Sequence, residues 1–386
     1  MTQKKIRQMS RKIASHYALI DEELQPNIII EVDDNGTITA IDHAVEIDNR
    51  AGVEFYPGIL IPGLVNAHCH LELSYLHHAI AEQTGFAGFA RAIGQVRGNY
   101  TLEERLRAAS SADATMWSEG VAAVADIAND SLTLPIKGQS KIAYHTLFEV
   151  FGLATRSTDE HHRMAEQSTT SASVTPHSTY SLQDGIFRQI CQTGDAPLSI
   201  HFLESDDELE LYHHRGSLHE WYERMGWSCD FLHYGTPSKR IIESVPATRR
   251  VMLIHNCKAT REDIAMMDAH FRSGVTWVVC PESNRYISGS HPPIELLRSM
   301  GCNIAIGTDS LASARSLSML DNMRLIEGVP LAELLTWATL GGARALGMEH
   351  TLGSFAVGKR PGVVLIEGAD LHTLSLLAST TTRRIL

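Results

Sequence analysis

The stretch Pro62-Gly63-Leu64-Val65-Asn66-Ala67-His68-Cys69-His70 sets two imidazoles two residues apart at the end of an apolar run. In extended chain, residues i and i+2 point to the same side, so His68 and His70 would face one cavity. Two neutral imidazoles at this spacing are good ligands for zinc or iron. Further polar groups follow apolar runs in the same manner: His177 after Ala172–Thr175, His201 with Glu204 after Leu198–Ile200, His255 after Val251–Ile254, and Asp309 after Asn303–Ile306. Each has a plainer use taken singly. A histidine on an apolar strand is commonly a satisfied core residue, and an aspartate there commonly caps the next helix. Five independent accidents of this kind in one chain are a poor explanation. Three imidazoles and one carboxylate make a sensible set for a divalent cation, which would bring the pKa of a bound water to roughly 7. Glu204 then suits a proton shuttle, and His255 suits orienting or polarising what the metal activates. His77, His78, His161, His162, His213, His214, His219, His270 and His291 fall in polar or helical contexts and are expected on the surface.

The elements that must carry these groups read as βα units. Eight short apolar runs begin near Ile61–Val65, Val121–Asp126, Ile142–Phe148, Ala172–Thr175, Leu198–His201, Val251–Ile254, Val275–Val279 and Asn303–Ile306, with helical stretches such as Thr101–Glu119 and Leu331–Leu346 between them. In the first helix Leu102, Leu106, Ala109 and Ala112 or Asp113 follow a 3.6 period, and Thr101 can cap before Glu104. Alternation of strand and helix argues for a parallel sheet, and eight units over about 290 residues is the size of a (β/α)8 TIM-like barrel, whose sites lie at the carboxyl ends of the strands. The flanks differ. Asn27–Val32 and Thr37–Ile41 around Asp33-Asp34-Asn35-Gly36 read as a hairpin, and Gly362–Ile366 as a strand. The expected α/β organisation is therefore a small β-sandwich domain built from residues 1–60 and 351–386 beside a barrel over residues 61–350.

The chain has 386 residues, 44% of them apolar and 20% charged, which permits a well-buried core. A formal net charge of −12 argues against nucleic acid or an anionic lipid surface as partner. No apolar run is long enough to span a membrane. Met1–Arg7 begins basic without an apolar segment behind it, so no signal peptide is expected. Six scattered cysteines, several in strand-like runs, fit reduced thiols and a cytoplasmic location rather than a disulfide framework.

In order and number these motifs resemble those of the amidohydrolase superfamily over nearly the whole chain. They are the His68-Cys69-His70 opening, Thr175-Pro176-His177-Ser178, His201 to Glu204, His255, Cys280-Pro281-Glu282-Ser283-Asn284, Gly307-Thr308-Asp309-Ser310 and the closing Val357-Gly358-Lys359-Arg360-Pro361-Gly362. After that last glycine the usual Ala-Asp is replaced by Val363-Val364. The match is closest to the branch of cytosine, guanine, S-adenosylhomocysteine and aminodeoxyfutalosine deaminases and triazine hydrolases. The resemblance implies that His68, His70, His201 and Asp309 bind one divalent metal ion, Zn or alternatively Fe, with Glu204 and His255 catalytic and Asp309 also the base. Binuclear members use a carboxylated lysine after the fourth strand, and Ser171–His177 contains none, so one metal is expected. It also implies a small-molecule substrate touched by His177, and a homodimer is expected through barrel helices. Leu71-Glu72-Leu73-Ser74 is similar to the run that follows the H-x-H in aminodeoxyfutalosine deaminases, and Glu72, in continued extended chain, would face the same cavity. S-adenosylhomocysteine deaminases carry an acidic residue and a tryptophan further on, and Gly85–Ala90 has neither. The implied reaction is hydrolytic deamination of an amino-substituted N-heterocycle or nucleoside-like substrate by a metal-activated hydroxide. The alternatives are cyclic-amide opening, as in imidazolonepropionases, and a non-catalytic barrel scaffold.

Overall fold

The computed structural model describes residues 10–43 and 52–386; the basic start Met1–Arg7 lies outside them. Seven strands come first: β1 (Arg11–Ala14), β2 (Tyr17–Ile20), β3 (Glu23–Pro26), β4 (Ile28–Val32), β5 (Ile38–His43), β6 (Val53–Phe55) and β7 (Ile59–Ile61). Eight follow in alternation with helices: β8 (Leu64–Cys69), β9 (Val121–Ala128), β10 (Ala143–Val150), β11 (Ser171–Pro176), β12 (Leu198–Phe202), β13 (Val251–His255), β14 (Val275–Val279) and β15 (Asn303–Ile306). Two close the chain, β16 (Val364–Glu367) and β17 (Thr381–Arg384).

The terminal segments share two sheets, ordered β5-β4-β1-β6 and β17-β16-β7-β2-β3. Ile13, Ile28, Ile30 and Ile38 of one pack against Ala18, Ile20, Leu60 and Leu365 of the other, as in a β-sandwich. The Asp33–Gly36 turn forms as its residue types demand. Asp33 Oδ1 accepts from Asn35 N and Thr37 N, both at 2.9 Å, and joins antiparallel β4 and β5.

The central strands form two parallel four-stranded sheets, β11-β10-β9-β8 and β12-β13-β14-β15. Single parallel bridges, Cys69 to Asp309 and Ser178 to His201, link their edges at the carboxyl ends. One set of strand residues, such as Val124 and Tyr144, packs against helices through Ala109, Ala112 and Met116. The other, Val65, Ala67, Ala123, Ala125, Leu147, Ile254 and Val278, forms a second apolar cluster. The helix expected over Thr101–Glu119 spans Leu102–Ser118, opened by a capping box in which Thr101 and Glu104 each hold the other's backbone N–H. Its apolar stripe runs through Ala109, Ala112 and Met116, whereas Leu102, expected to share it, is 60% exposed on the first turn.

One strand is displaced from expectation. The apolar run around residue 61 is two strands: Ile59–Ile61 pairs antiparallel with β16, and only Leu64–Cys69 enters the central sheet. The helix expected over Leu331–Leu346 contains a π turn at Trp337–Gly341, where Gly342 lies against β8 so closely that a Cβ would meet Val65 O at 2.6 Å.

Candidate functional site

Every polar group singled out in the sequence comes from the carboxyl end of a central strand or the residues just after it. His68 and His70 leave β8 with Nε2 atoms 3.2 Å apart. Asp309, beyond β15, brings Oδ1 to 3.5 Å from His70 Nε2 and 3.9 Å from His68 Nε2. The rings of His201 and His255 lie with centroids 5.0 and 5.9 Å from that of His68. Close approach of β15 to β8 requires a residue without a side chain at 307, since a Cβ there would stand 2.7 Å from His68 Cβ. His68, His70 and His201 form one compact group of candidate ligand atoms, and His68, His255 and Asp309 another.

Two of these groups, His255 and Asp309, and two residues adjoining the site, Leu203 and Asn256, share a backbone signature. Leu203, His255, Asn256 and Asp309 have φ of 49°, 75°, 59° and 60°, the left-handed region that non-glycine residues seldom adopt. Such strain collects where surrounding contacts fix a side chain for function.

Charge state follows from burial. Loss of water holds the His68 imidazole well below its ordinary pKa and lowers His201 to about 3 and His255 to about 4, so their lone pairs are free at neutral pH. Burial works against the Asp309 carboxylate, but the facing imidazoles and the Ser283 hydroxyl outweigh it, and its pKa falls. Asp309 Oδ2 accepts from Ser283 Oγ at 2.5 Å and Ser313 Oγ at 3.0 Å, which leaves Oδ1 toward the histidines. Nδ1 of His201 meets His177 O at 2.9 Å, a contact that requires Nδ1–H and leaves Nε2 as the lone pair. Nε2 of His68 faces His70 Nε2 and Asp309 Oδ1, so ring nitrogens and a carboxylate oxygen converge on one point. A divalent cation resolves that arrangement, and the donor set fits one.

Glu204 lies beside this cluster, 6% exposed, with Oε1 3.7 Å from His255 Nε2. Burial, with Asp309 and Glu208 nearby, holds its pKa well above the ordinary carboxyl value, which favours the protonated form. Asn284 Nδ2 lies 3.0 Å from His255 Nδ1, which places the ring proton of neutral His255 on Nε2 when the amide donates.

The cluster floors a cavity of about 520 Å³ that also takes in Glu72 and His177. His177 stacks on His201 with ring centroids 4.5 Å apart, and its Nδ1 is buried without a partner. Glu72 reaches the cavity by a different route from the one expected. Leu71–Leu76 is a 3₁₀ turn rather than extended chain, and Glu72 Oε2 accepts from Asn129 N at 2.9 Å and Asp130 N at 3.3 Å. Burial and the neighbouring Asp130 push its pKa up to about 8. Phe86, Phe89, Phe151, Trp221 and Trp227 wall the outer part.

Sequence reasoning missed Glu149, whose Oε1 lies 3.6 Å from His201 Nδ1 and which groups with His177 and His201. It directly follows the apolar run Ile142–Phe148, so the signal that marked the others was present for it as well. His145 carries no such signal; it is buried, with Nδ1 on Ser171 Oγ and Nε2 on Ser173 Oγ. The nine histidines expected on the surface are all exposed or half-buried.

The amidohydrolase family model matches residues 59–384. An adenosine deaminase of Helicobacter pylori is 27% identical over 317 residues, 77% of this chain and 76% of that protein. Among solved structures, an aminofutalosine deaminase of Helicobacter pylori in complex with methylthio-coformycin superposes with a TM-score of 0.80 at 22% identity, over 93% of each chain. An adenosine deaminase of Xanthomonas campestris with bound zinc gives 0.74 at 24% identity, over 94% of this chain and 85% of that one. The fold is thus that of a TIM-like barrel with α/β composition.

Proposed function

The chain belongs to the amidohydrolase family, and we propose that it hydrolytically deaminates an amino-substituted N-heterocycle or nucleoside-like substrate. It is a hydrolase acting on carbon–nitrogen bonds other than peptide bonds. The observation that carries the proposal is the buried Glu204 carboxyl, 3.7 Å from His255 Nε2, at the edge of the cluster of His68, His70, His201 and Asp309.

In this proposal His68, His70, His201 and Asp309 would hold one zinc ion, which when bound would supply a water nucleophile activated at neutral pH. Asp309, its Oδ2 anchored by Ser283 and Ser313, receives the proton that the water gives up. As the water oxygen bonds to the amine-bearing carbon, Glu204 gives its proton to the adjacent ring nitrogen; the C–N bond then breaks as the amine takes the proton held by Asp309 and departs as ammonia, and the proton left on the new oxygen returns to Glu204. His255 presents Nε2–H to the same locus. His177 and Glu72 contact the substrate, and the aromatic wall keeps bulk water from the ring. The deaminases named above support the reaction type, and the zinc of the Xanthomonas campestris structure supports the metal.

We also infer that the eight central strands close into one barrel; the edge bridges from Cys69 to Asp309 and from Ser178 to His201 support this. Residues 61–350 are taken as the barrel unit and 1–60 with 351–386 as the small β domain. A cytoplasmic location, supported by six thiols free of disulfides, and a homodimer are parts of the same proposal. Among the described residues no helix is long and apolar enough to cross a membrane.

The test is an ammonia-release screen of the zinc-loaded protein over aminated purines and their nucleosides, aminofutalosine, pterins and pyrimidines. Deamination predicts one ammonia per product. Silence on all of them, with turnover of a cyclic amide or a chlorinated ring, would replace it by another hydrolysis.

A further inference from the structure

Lys137 and Asp126 form an ion pair among groups with no solvent access. Lys137 comes from the helix Leu134–Gln139 and also donates to Thr146 Oγ1 of β10 at 3.1 Å. Its partner is placed for a purpose beyond neutralising it. Asp126 Oδ1 accepts from Leu71 N at 2.8 Å, the first backbone N–H after His70. That N–H opens a 3₁₀ turn, where it lacks an intrahelical acceptor and no residue of the turn caps it.

The backbone tells the same story. Along β8 and β9 the pairing runs Asn66 with Val124, then Cys69 with Asp126, three steps on one strand against two on the other. Such a bulge bends the strand and re-aims its side chains, here His68. Register resumes at Asp126. The same strand end then takes the next carboxylate, because Asn129 N and Asp130 N hold Glu72 Oε2. The segment from Cys69 to Glu72 is thus pinned to one neighbour by a backbone pair, by the side chain of Asp126 and by the carboxylate of Glu72.

We propose that Asp126, with its charge balanced by Lys137, is a positioning residue that fixes His70 for metal binding and starts the turn that presents Glu72. This rests on the metal site proposed above. An uncharged buried acceptor would need no lysine, and an unpaired buried carboxylate would be costly, so both residues belong to one device.

Changing one partner alone strands a buried charge, so the test alters both. Asp126→Asn/Lys137→Met keeps an acceptor for Leu71 N–H and removes the charges; Asp126→Leu/Lys137→Leu removes acceptor and charges together. Zinc affinity is measured by competition with a chromogenic chelator, and protection of the Leu71 amide by hydrogen exchange on the metal-free protein. The first pair is expected to bind zinc within about threefold of the wild type and to retain amide protection. The second is expected to lose protection and about 10–100-fold in zinc affinity, the usual scale for outer-shell changes. If the leucine pair does not fold, Asp126→Val/Lys137→Met takes its place. Wild-type affinity and protection in the acceptor-free pair would overturn the proposal, as would equal losses in both pairs. A wild-type protein that binds no zinc would overturn the metal site itself, and amide protection independent of residue 126 would overturn the clamp on its own.

Discussion

Replacing Glu204 by Gln tests the proton carrier with little else disturbed. The glutamine amide fills the same buried space, and the backbone there is held from outside: Glu208 Oε2 accepts from Glu204 N at 3.3 Å. The amide can still face His255 Nε2, which lies 3.7 Å from the carboxylate. What disappears is an acidic proton on a carboxyl whose protonated form burial favours. Positioned proton transfer contributes about 10²–10⁴-fold, or about 3–5 kcal/mol of barrier at 1.36 kcal/mol per tenfold. Glu204 lies outside the compact group of His68, His70 and His201 and the group that adds Asp309, so metal content should stay at the wild-type level. The assay is steady-state ammonia release with the best substrate of the screen, alongside metal analysis of the same preparation. Turnover should slow by about a hundredfold or more while KM changes only a fewfold. Turnover within fivefold of the wild type, or loss of the metal, would refute the assigned role.

Asp309→Ala should weaken zinc retention and abolish turnover, and a chelator should inactivate the wild type reversibly on zinc addition; full activity in either metal-stripped form would contradict this. Gly307→Ala would drive a Cβ to 2.7 Å from His68 Cβ, and overpacking on that scale costs about 1–3 kcal/mol, read as a lower Tm and weaker zinc binding. His145 offers a pH test away from the metal. Burial lowers its pKa to about 4, against about 6.5 in the unfolded chain, so the unfolded state takes up the proton first. Its share of stability is full above pH 6.5 and is lost as pH falls to 4, roughly 3 kcal/mol in all. Denaturant titrations of wild type and His145→Gln should therefore converge toward low pH, and parallel pH profiles would refute the assignment.

Much of this arrangement was legible because barrel chemistry sits where apolar strands end. His68, His70, His177, His201, His255 and Asp309 each follow such a run, and the fold brings all but the fully buried His68 to the lining of one cavity, with His68 in contact with His70. What escaped depends on partners distant in sequence. Ile59–Ile61 looks continuous with Leu64–Cys69 until its pairing with Val364–Ile366 assigns it to the other sheet. Glu72 was expected in extended chain, and the N–H groups of Asn129 and Asp130 that hold it instead lie 57 and 58 residues away. The Ser283 and Ser313 hydroxyls that orient Asp309 carry no local signal, since serines in loops ordinarily meet water. Glu149 was within reach of the rule that found the others, since it directly follows Phe148, where the third apolar run ends.

Anomalous diffraction at the zinc edge from crystals of the zinc-loaded protein reads the ligand set itself. One strong peak per chain is expected, at about 2.0–2.2 Å from nitrogens of His68, His70 and His201 and an oxygen of Asp309. A peak among Glu149, His177 and His201, two peaks, or none would contradict it.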